Sequence, residues 1–141
     1  MKYLITLLLL LYSGLNNYLD TQPNFPEEKE DVWEILVHRI MKVESEFNHS
    51  AIGDNGKAVG LFQIHSIMVR EVNRITGEEL YSYSDRLDSI KSREMFEIYQ
   101  AHYNPDKDLQ LAAYLWNGGP RYYNNLSKVE RYWRKIDVWY N

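Results

Sequence analysis

From Asp31 onward, apolar side chains recur at three- and four-residue steps: Val32, Leu36, Ile40, Val43 and Phe47. That is the period of one helix face. It predicts a helix over roughly 27–47, with Pro26 near its first turn. The pattern then breaks. Gly53, Gly56 and Gly60 interrupt residues 48–65, and Asn55-Gly56 is a tight-turn dipeptide. A loop or small hairpin is expected there, ending in an extended Leu61–Ile64. A second helix is predicted over about 66–76, stopped by Gly77. Residues 81–87, polar and aromatic, read as loop. Leu87, Ile90, Met95, Ile98 and His102 fit a third helix that stops before Pro105. Asp108 stands where it would cap a fourth, which carries Leu109, Ala112, Ala113 and Trp116 and ends at Gly118-Gly119-Pro120. Val129, Tyr132, Trp133, Ile136, Trp139 and Tyr140 form the stripe of a last helix. The sum is a mainly α, compact helical domain with one short loop or β-hairpin.

The chain has 141 residues, the size of one domain with a real core. Residues 1–16 stand apart: Lys2 precedes a ten-residue apolar run from Tyr3 to Tyr12, as in a secretory signal. The run is short for a bilayer-spanning helix, so an uncleaved membrane anchor is the alternative, and membrane contact is expected only through this segment. Residues 17–30, with Pro23 and Pro26, read as a linker, and 31–141 as the domain. Loss of 1–16 removes one charge, Lys2, and takes the net charge from −4 to −5. That argues against nonspecific nucleic-acid binding. Lys128, Arg131, Arg134 and Lys135 read as the solvated face of the last helix. The absence of cysteine excludes disulfides, thiolate zinc sites and a lipid-attachment Cys. Nothing in the sequence speaks to oligomeric state.

The chemistry gathers at three places. Glu44 lies beside the apolar stripe of the first helix, whereas Glu46, about 200° further round, is expected in solvent. A carboxyl next to an apolar face loses hydration and resists ionising, so Glu44 is the candidate general acid. Sixteen residues on, Gly60-Leu61-Phe62-Gln63-Ile64 begins. Gly60 would let a sugar ring approach the main chain. Gln63, alternating with Phe62 and Ile64, would point an amide into a groove while they point into the core. Asn117 stops the fourth helix and is a ligand candidate if its side chain turns inward. Asp54 is the candidate second carboxylate, either positioning a water or serving as a plain turn residue. None of the four histidines has a partner at metal-ligand spacing; His65 follows the groove strand and is a candidate to line it, with a surface position the plainer reading. No metal site or cofactor is predicted. One acid facing a glycine-backed groove with amide donors is what cleavage of a sugar–sugar bond requires.

Glu44-Ser45, Gly60-Leu61-Phe62-Gln63-Ile64 and the Ala112-Ala113…Trp116-Asn117-Gly118 region resemble, in that order, the three motifs of the lytic transglycosylase and goose-type lysozyme group. Tyr132-x3-Ile136-x3-Tyr140 resembles that group's closing Tyr-x3-Val-x3-Tyr helix. The resemblance spans roughly residues 30–140. Trp116 stands where the family usually has Tyr, Phe62 where it often has Met, and His65 where goose-type lysozymes carry a second Asp. The resemblance implies a lysozyme-like fold and peptidoglycan glycan strands as substrate. It also implies a single-acid mechanism in which Glu44 is acid and base, Gln63, Asn117 and Gly60 contact substrate, and Tyr132 supports the acid. The product would be a 1,6-anhydro sugar. Two other readings stay open: a hydrolytic lysozyme with Asp54 assisting water, and a noncatalytic peptidoglycan-binding or assembly module.

Overall fold

The computed structural model describes residues 31–137. Residues 1–16 and 17–30, together with Trp139 and Tyr140 of the closing stripe, lie outside the described residues. The first helix, α1, runs Val32–Ser45 and is capped by the Asp31 carboxylate, which accepts from the Trp33 amide at 2.9 Å. It ends two residues before the expected 47. Glu46 and Phe47 both adopt left-handed backbone (φ 52° and 65°), so Phe47 leaves the apolar stripe and is 39% exposed. Glu46 is exposed as expected, but because it stands past the helix end rather than on a polar face of it.

The chain then forms a short antiparallel hairpin, β1 (Ile52–Gly53) against β2 (Ala58–Val59), in register Ile52↔Val59 and Gly53↔Ala58. A 3-10 turn over Asp54–Gly56 joins the strands. Leu61–Ile64 is not extended. Gly60 (φ 80°) and Gln63 (φ 50°) reverse the chain, and Val59 and Ile64 hydrogen-bond to each other across the turn at 3.0 and 3.2 Å. Phe62 and Ile64 still reach the core, 0% and 1% exposed.

Helix α2 spans Ser66–Thr76 and stops at Gly77, whose φ of 77° provides the left-handed cap. Within the expected loop 81–87 lies a 3-10 turn, Tyr83–Leu87, closed by a Ser82–Asp85 capping box. Helix α3 (Ser89–Tyr103) is capped by Asp88 and ends before Pro105. Its buried face differs from the expected one. Leu87 precedes the helix, Ile90 is 72% exposed and His102 is exposed, while Ser92, Met95, Phe96, Tyr99 and Gln100 are buried. Polar side chains take buried positions because α4 (Leu109–Gly118) supplies partners. Gln100 Nε2 donates to the Ala112 carbonyl at 3.1 Å and the Tyr99 hydroxyl to that of Leu115 at 3.4 Å. Asp108 caps α4 through the Leu111 amide. Helix α5 (Leu126–Ile136) follows a 3-10 turn at Tyr122–Asn125.

The core is one cluster. Leu36 and Ile40 of α1, Phe62 of the turn, and Met95 and Phe96 of α3 are fully buried, each worth roughly 1.5–3 kcal/mol. Phe62 stacks on Phe96 with ring centres 5.3 Å apart, and Trp116 of α4 meets Phe96 edge-on at 4.9 Å. This aromatic contact ties the turn at 60–64 to α4, and so fixes the groove wall relative to the helix that carries Asn117.

Candidate active site

Glu44 occupies the last turn of α1. Its neighbour Ser45 locks that turn in place, the Ser45 hydroxyl lying 2.8 Å from the Leu61 carbonyl and 3.2 Å from that of Met41. The helix end is thereby bound to the glycine-initiated turn sixteen residues away. From α5, the Tyr132 hydroxyl donates to Glu44 Oε1 at 2.6 Å, and Tyr132 is itself only 6% exposed. Burial raises the Glu44 carboxyl above the usual carboxylate range, outweighing the Tyr132 hydrogen bond and the charges of Lys135 and Lys128, all of which favour ionisation. The Tyr132 phenol is pushed well up by burial and by the adjacent carboxyl, so it remains a donor.

Glu44 opens onto a cavity of about 520 Å³, whose walls include Asp54, Gln63, His65, Trp116, Asn117 and Lys128. Asn117 is part of the cavity wall. Its Oδ1 is buried and has no hydrogen-bond partner among the described residues, and its carbonyl accepts from Lys128 Nζ at 3.2 Å. Gln63 lines the cavity but is largely committed: its Nε2 donates to the carbonyls of Gly60 at 2.9 Å and Ala51 at 3.3 Å, pinning the turn to the hairpin's approach. Gly60 does not face the cleft as expected. A β-carbon there would lie 2.0 Å from the Arg86 carbonyl oxygen, so the close approach is that of the protein's own main chain. Gly60 is buried and is not among the residues lining the cavity.

Asp54 sits at the hairpin tip with φ 48° and pairs with His65, Oδ2 to Nε2 at 3.5 Å. His65 thus joins the cavity wall while its side chain stays 43% exposed. Lys128, exposed like Arg131, Arg134 and Lys135, also borders the cleft. The signal for Lys128 was available: it precedes Tyr132 by four residues and so shares its helix face.

The Tyr132–Glu44 contact gives a direct test. Tyr132→Phe removes a donor that favours the carboxylate, so the Glu44 pKa should climb further. The alkaline limb of kcat/KM, set by loss of the acid's proton, should move to higher pH. The rate at the optimum should fall about tenfold, or roughly 1.4 kcal/mol. A pH–rate profile of the two proteins checks both changes.

A helical, lysozyme-like domain with one desolvated carboxyl in an open cleft is the architecture of an enzyme acting on glycan strands. The chain belongs to the transglycosylase SLT domain family, whose model matches residues 22–138. Members of that family are lytic transglycosylases that act on peptidoglycan. Comparison with curated proteins and with solved structures returned no match.

Proposed function

We propose that this protein cleaves the β-1,4 bond between N-acetylmuramic acid and N-acetylglucosamine and leaves a 1,6-anhydro end. The observation that carries the reading is Glu44: a cleft carboxyl whose pKa burial raises and which the Tyr132 hydroxyl orients. Protonated Glu44 donates to the glycosidic oxygen, and the departing N-acetylglucosamine takes that proton as its hydroxyl. The substrate's N-acetyl oxygen closes on the anomeric carbon and spreads the positive charge, an exception to the two-carboxylate scheme. The C6 hydroxyl then attacks the same carbon, and Glu44, now a carboxylate, accepts its proton. The acid is regenerated and no water is consumed. Asn117 lines the cleft as a candidate substrate contact, and Gln63 holds the turn at 60–64 through the Gly60 and Ala51 carbonyls. Neither this route nor its hydrolytic variant uses a cofactor.

One observation favours a second reading. The Asp54–His65 pair lines the same cleft and could hold a water for attack at the anomeric carbon, giving hydrolysis. Borohydride labelling of the soluble products separates the two. Anhydro ends carry no reducible aldehyde, so label incorporated at newly formed muramyl ends would favour the Asp54–His65 route and overturn the first. The family's substrate lies in the periplasm or cell envelope. Export through residues 1–16, followed by the linker 17–30, is the matching proposal for how the domain reaches it.

A further inference from the structure

Arg86 stands on the 3-10 turn before α3, half-buried and not among the residues that line the cavity. Its guanidinium nevertheless holds the cavity wall. Nη1 donates to the carbonyls of Lys57 and Ile64, both at 3.1 Å. Nε donates to the Tyr83 carbonyl at 2.7 Å, which ties the side chain to its own turn. The main chain of the same residue is close as well, since the Arg86 carbonyl is what a β-carbon on Gly60 would strike. One residue therefore meets the wall at Lys57, Gly60 and Ile64. Ala58 follows Lys57, and Gln63 and His65 flank Ile64; all three line the cavity.

Little else fixes this wall from outside. The hairpin strands are two residues each, too short to hold a position unaided. Among the described residues, two side chains from outside 51–65 hydrogen-bond to that segment: Ser45 at Leu61 and Arg86 at Lys57 and Ile64. The turn at 60–64 is thus gripped at one end from α1 and at the other by Arg86. A guanidinium suits the task. Its bonds to carbonyls are charge-assisted and its donors lie in a fixed plane, whereas a lysine brings a point charge on a flexible stem.

We propose that Arg86 is a positioning residue: through the Lys57 and Ile64 carbonyls it sets where the wall bearing Asp54, Gln63 and His65 stands relative to Glu44. The inference rests on the glycan-cleaving reading of the cleft. The acid itself is held by other means, on α1 and by Tyr132 of α5. Loss of Arg86 therefore disturbs how substrate is held and leaves the proton donor alone.

The test compares wild type, Arg86→Ala and Arg86→Lys as full chains on soluble glycan strands, well below each melting temperature. Arg86→Ala should raise KM about tenfold and change kcat less than about threefold. The alkaline limb of its pH profile should stay in place, unlike that of Tyr132→Phe. Arg86→Lys, which keeps a charged donor but not the fork, should fall between. Arg93→Ala is the control for losing an arginine staple: Arg93 bonds Glu97 at 2.8 Å and Glu34 at 2.7 and 3.1 Å, at the start of α1. It should lower Tm and leave KM unchanged. Unchanged KM in both Arg86 variants would overturn the proposal, leaving Arg86 a staple of the fold. An equal rise in Arg93→Ala would overturn it too, as would a displaced alkaline limb, which would mean that Arg86 acts on the acid. Binding of the same strands is measured in Glu44→Gln with and without Arg86→Ala. Weaker binding with the second substitution, but no turnover by the Glu44-containing chain, would sink the cleavage reading and leave the role of Arg86 standing.

Discussion

Glu44→Gln is expected to leave the fold unchanged and to reduce turnover of purified peptidoglycan by at least about 10²–10⁴-fold. Gln preserves the shape and still offers Oε1 to the Tyr132 hydroxyl, which now donates to Glu44 at 2.6 Å. What it lacks is a proton to give. The same substitution has a stability signature. Burial raises the Glu44 pKa, so the folded chain holds that proton more tightly than the unfolded chain. Stability from this group is therefore fully present below the unfolded carboxyl value and is lost as pH rises through the raised folded one. Glu44→Gln, which has no proton to lose, should melt at higher temperature than the wild type at neutral to alkaline pH. The difference should shrink in acid. Melting curves that coincide across that range would mean that Glu44 is not desolvated. Glu46→Gln, altering an exposed residue beyond the helix end, should change neither quantity.

The largest loss of stability is expected from Gly60→Ala. The residue has φ 80°, and its β-carbon would stand 2.0 Å from the Arg86 carbonyl oxygen and 3.0 Å from the carbonyl carbon. Backbone, not a flexible side chain, would have to yield. The Gly60 amide donates to the Ala51 carbonyl at 2.8 Å, and the Gly60 carbonyl accepts from the Gln63 backbone and side chain. A shift there would therefore pull on both the hairpin and the turn. A cost of about 3 kcal/mol or more, roughly 10 °C in Tm, is expected. Gly56→Ala is the control. Its φ is 86° but no atom lies within 4 Å of the added carbon, so only the conformational cost of about 1 kcal/mol applies. Thermal unfolding of the two variants distinguishes steric collision from backbone preference.

These contrasts show what could be read in the chain. Local chemistry was legible: Gly77 ends α2, Asp108 caps α4, and Pro105 follows the end of α3, each through a backbone demand that one residue meets. The family motifs were legible too, in residues that the fold gathers at one cleft. Less legible was anything decided by a partner distant in sequence. The buried face of α3 is set by Gln100 and Tyr99 finding carbonyl acceptors on α4, which periodicity in a single helix does not register. The close neighbour of Gly60, Arg86, lies 26 residues further along the chain, so local sequence does not show which backbone the glycine admits. The Asp54–His65 pair and the Lys128 contact with the Asn117 carbonyl arise the same way, from the hairpin tip folding over the start of α2 and from α5 packing against α4 and α1. The left-handed Glu46 and Phe47 that end α1 carry no glycine to announce them.

The most direct test of the central claim is mass spectrometry of the muropeptides released from purified peptidoglycan by the full chain, with Glu44→Gln as control. Glu44 acting as sole acid and base predicts products one water lighter than those of hydrolysis, and none from the control. Reducing-end products from the wild type, or anhydro products that persist in the Glu44→Gln variant, would contradict it.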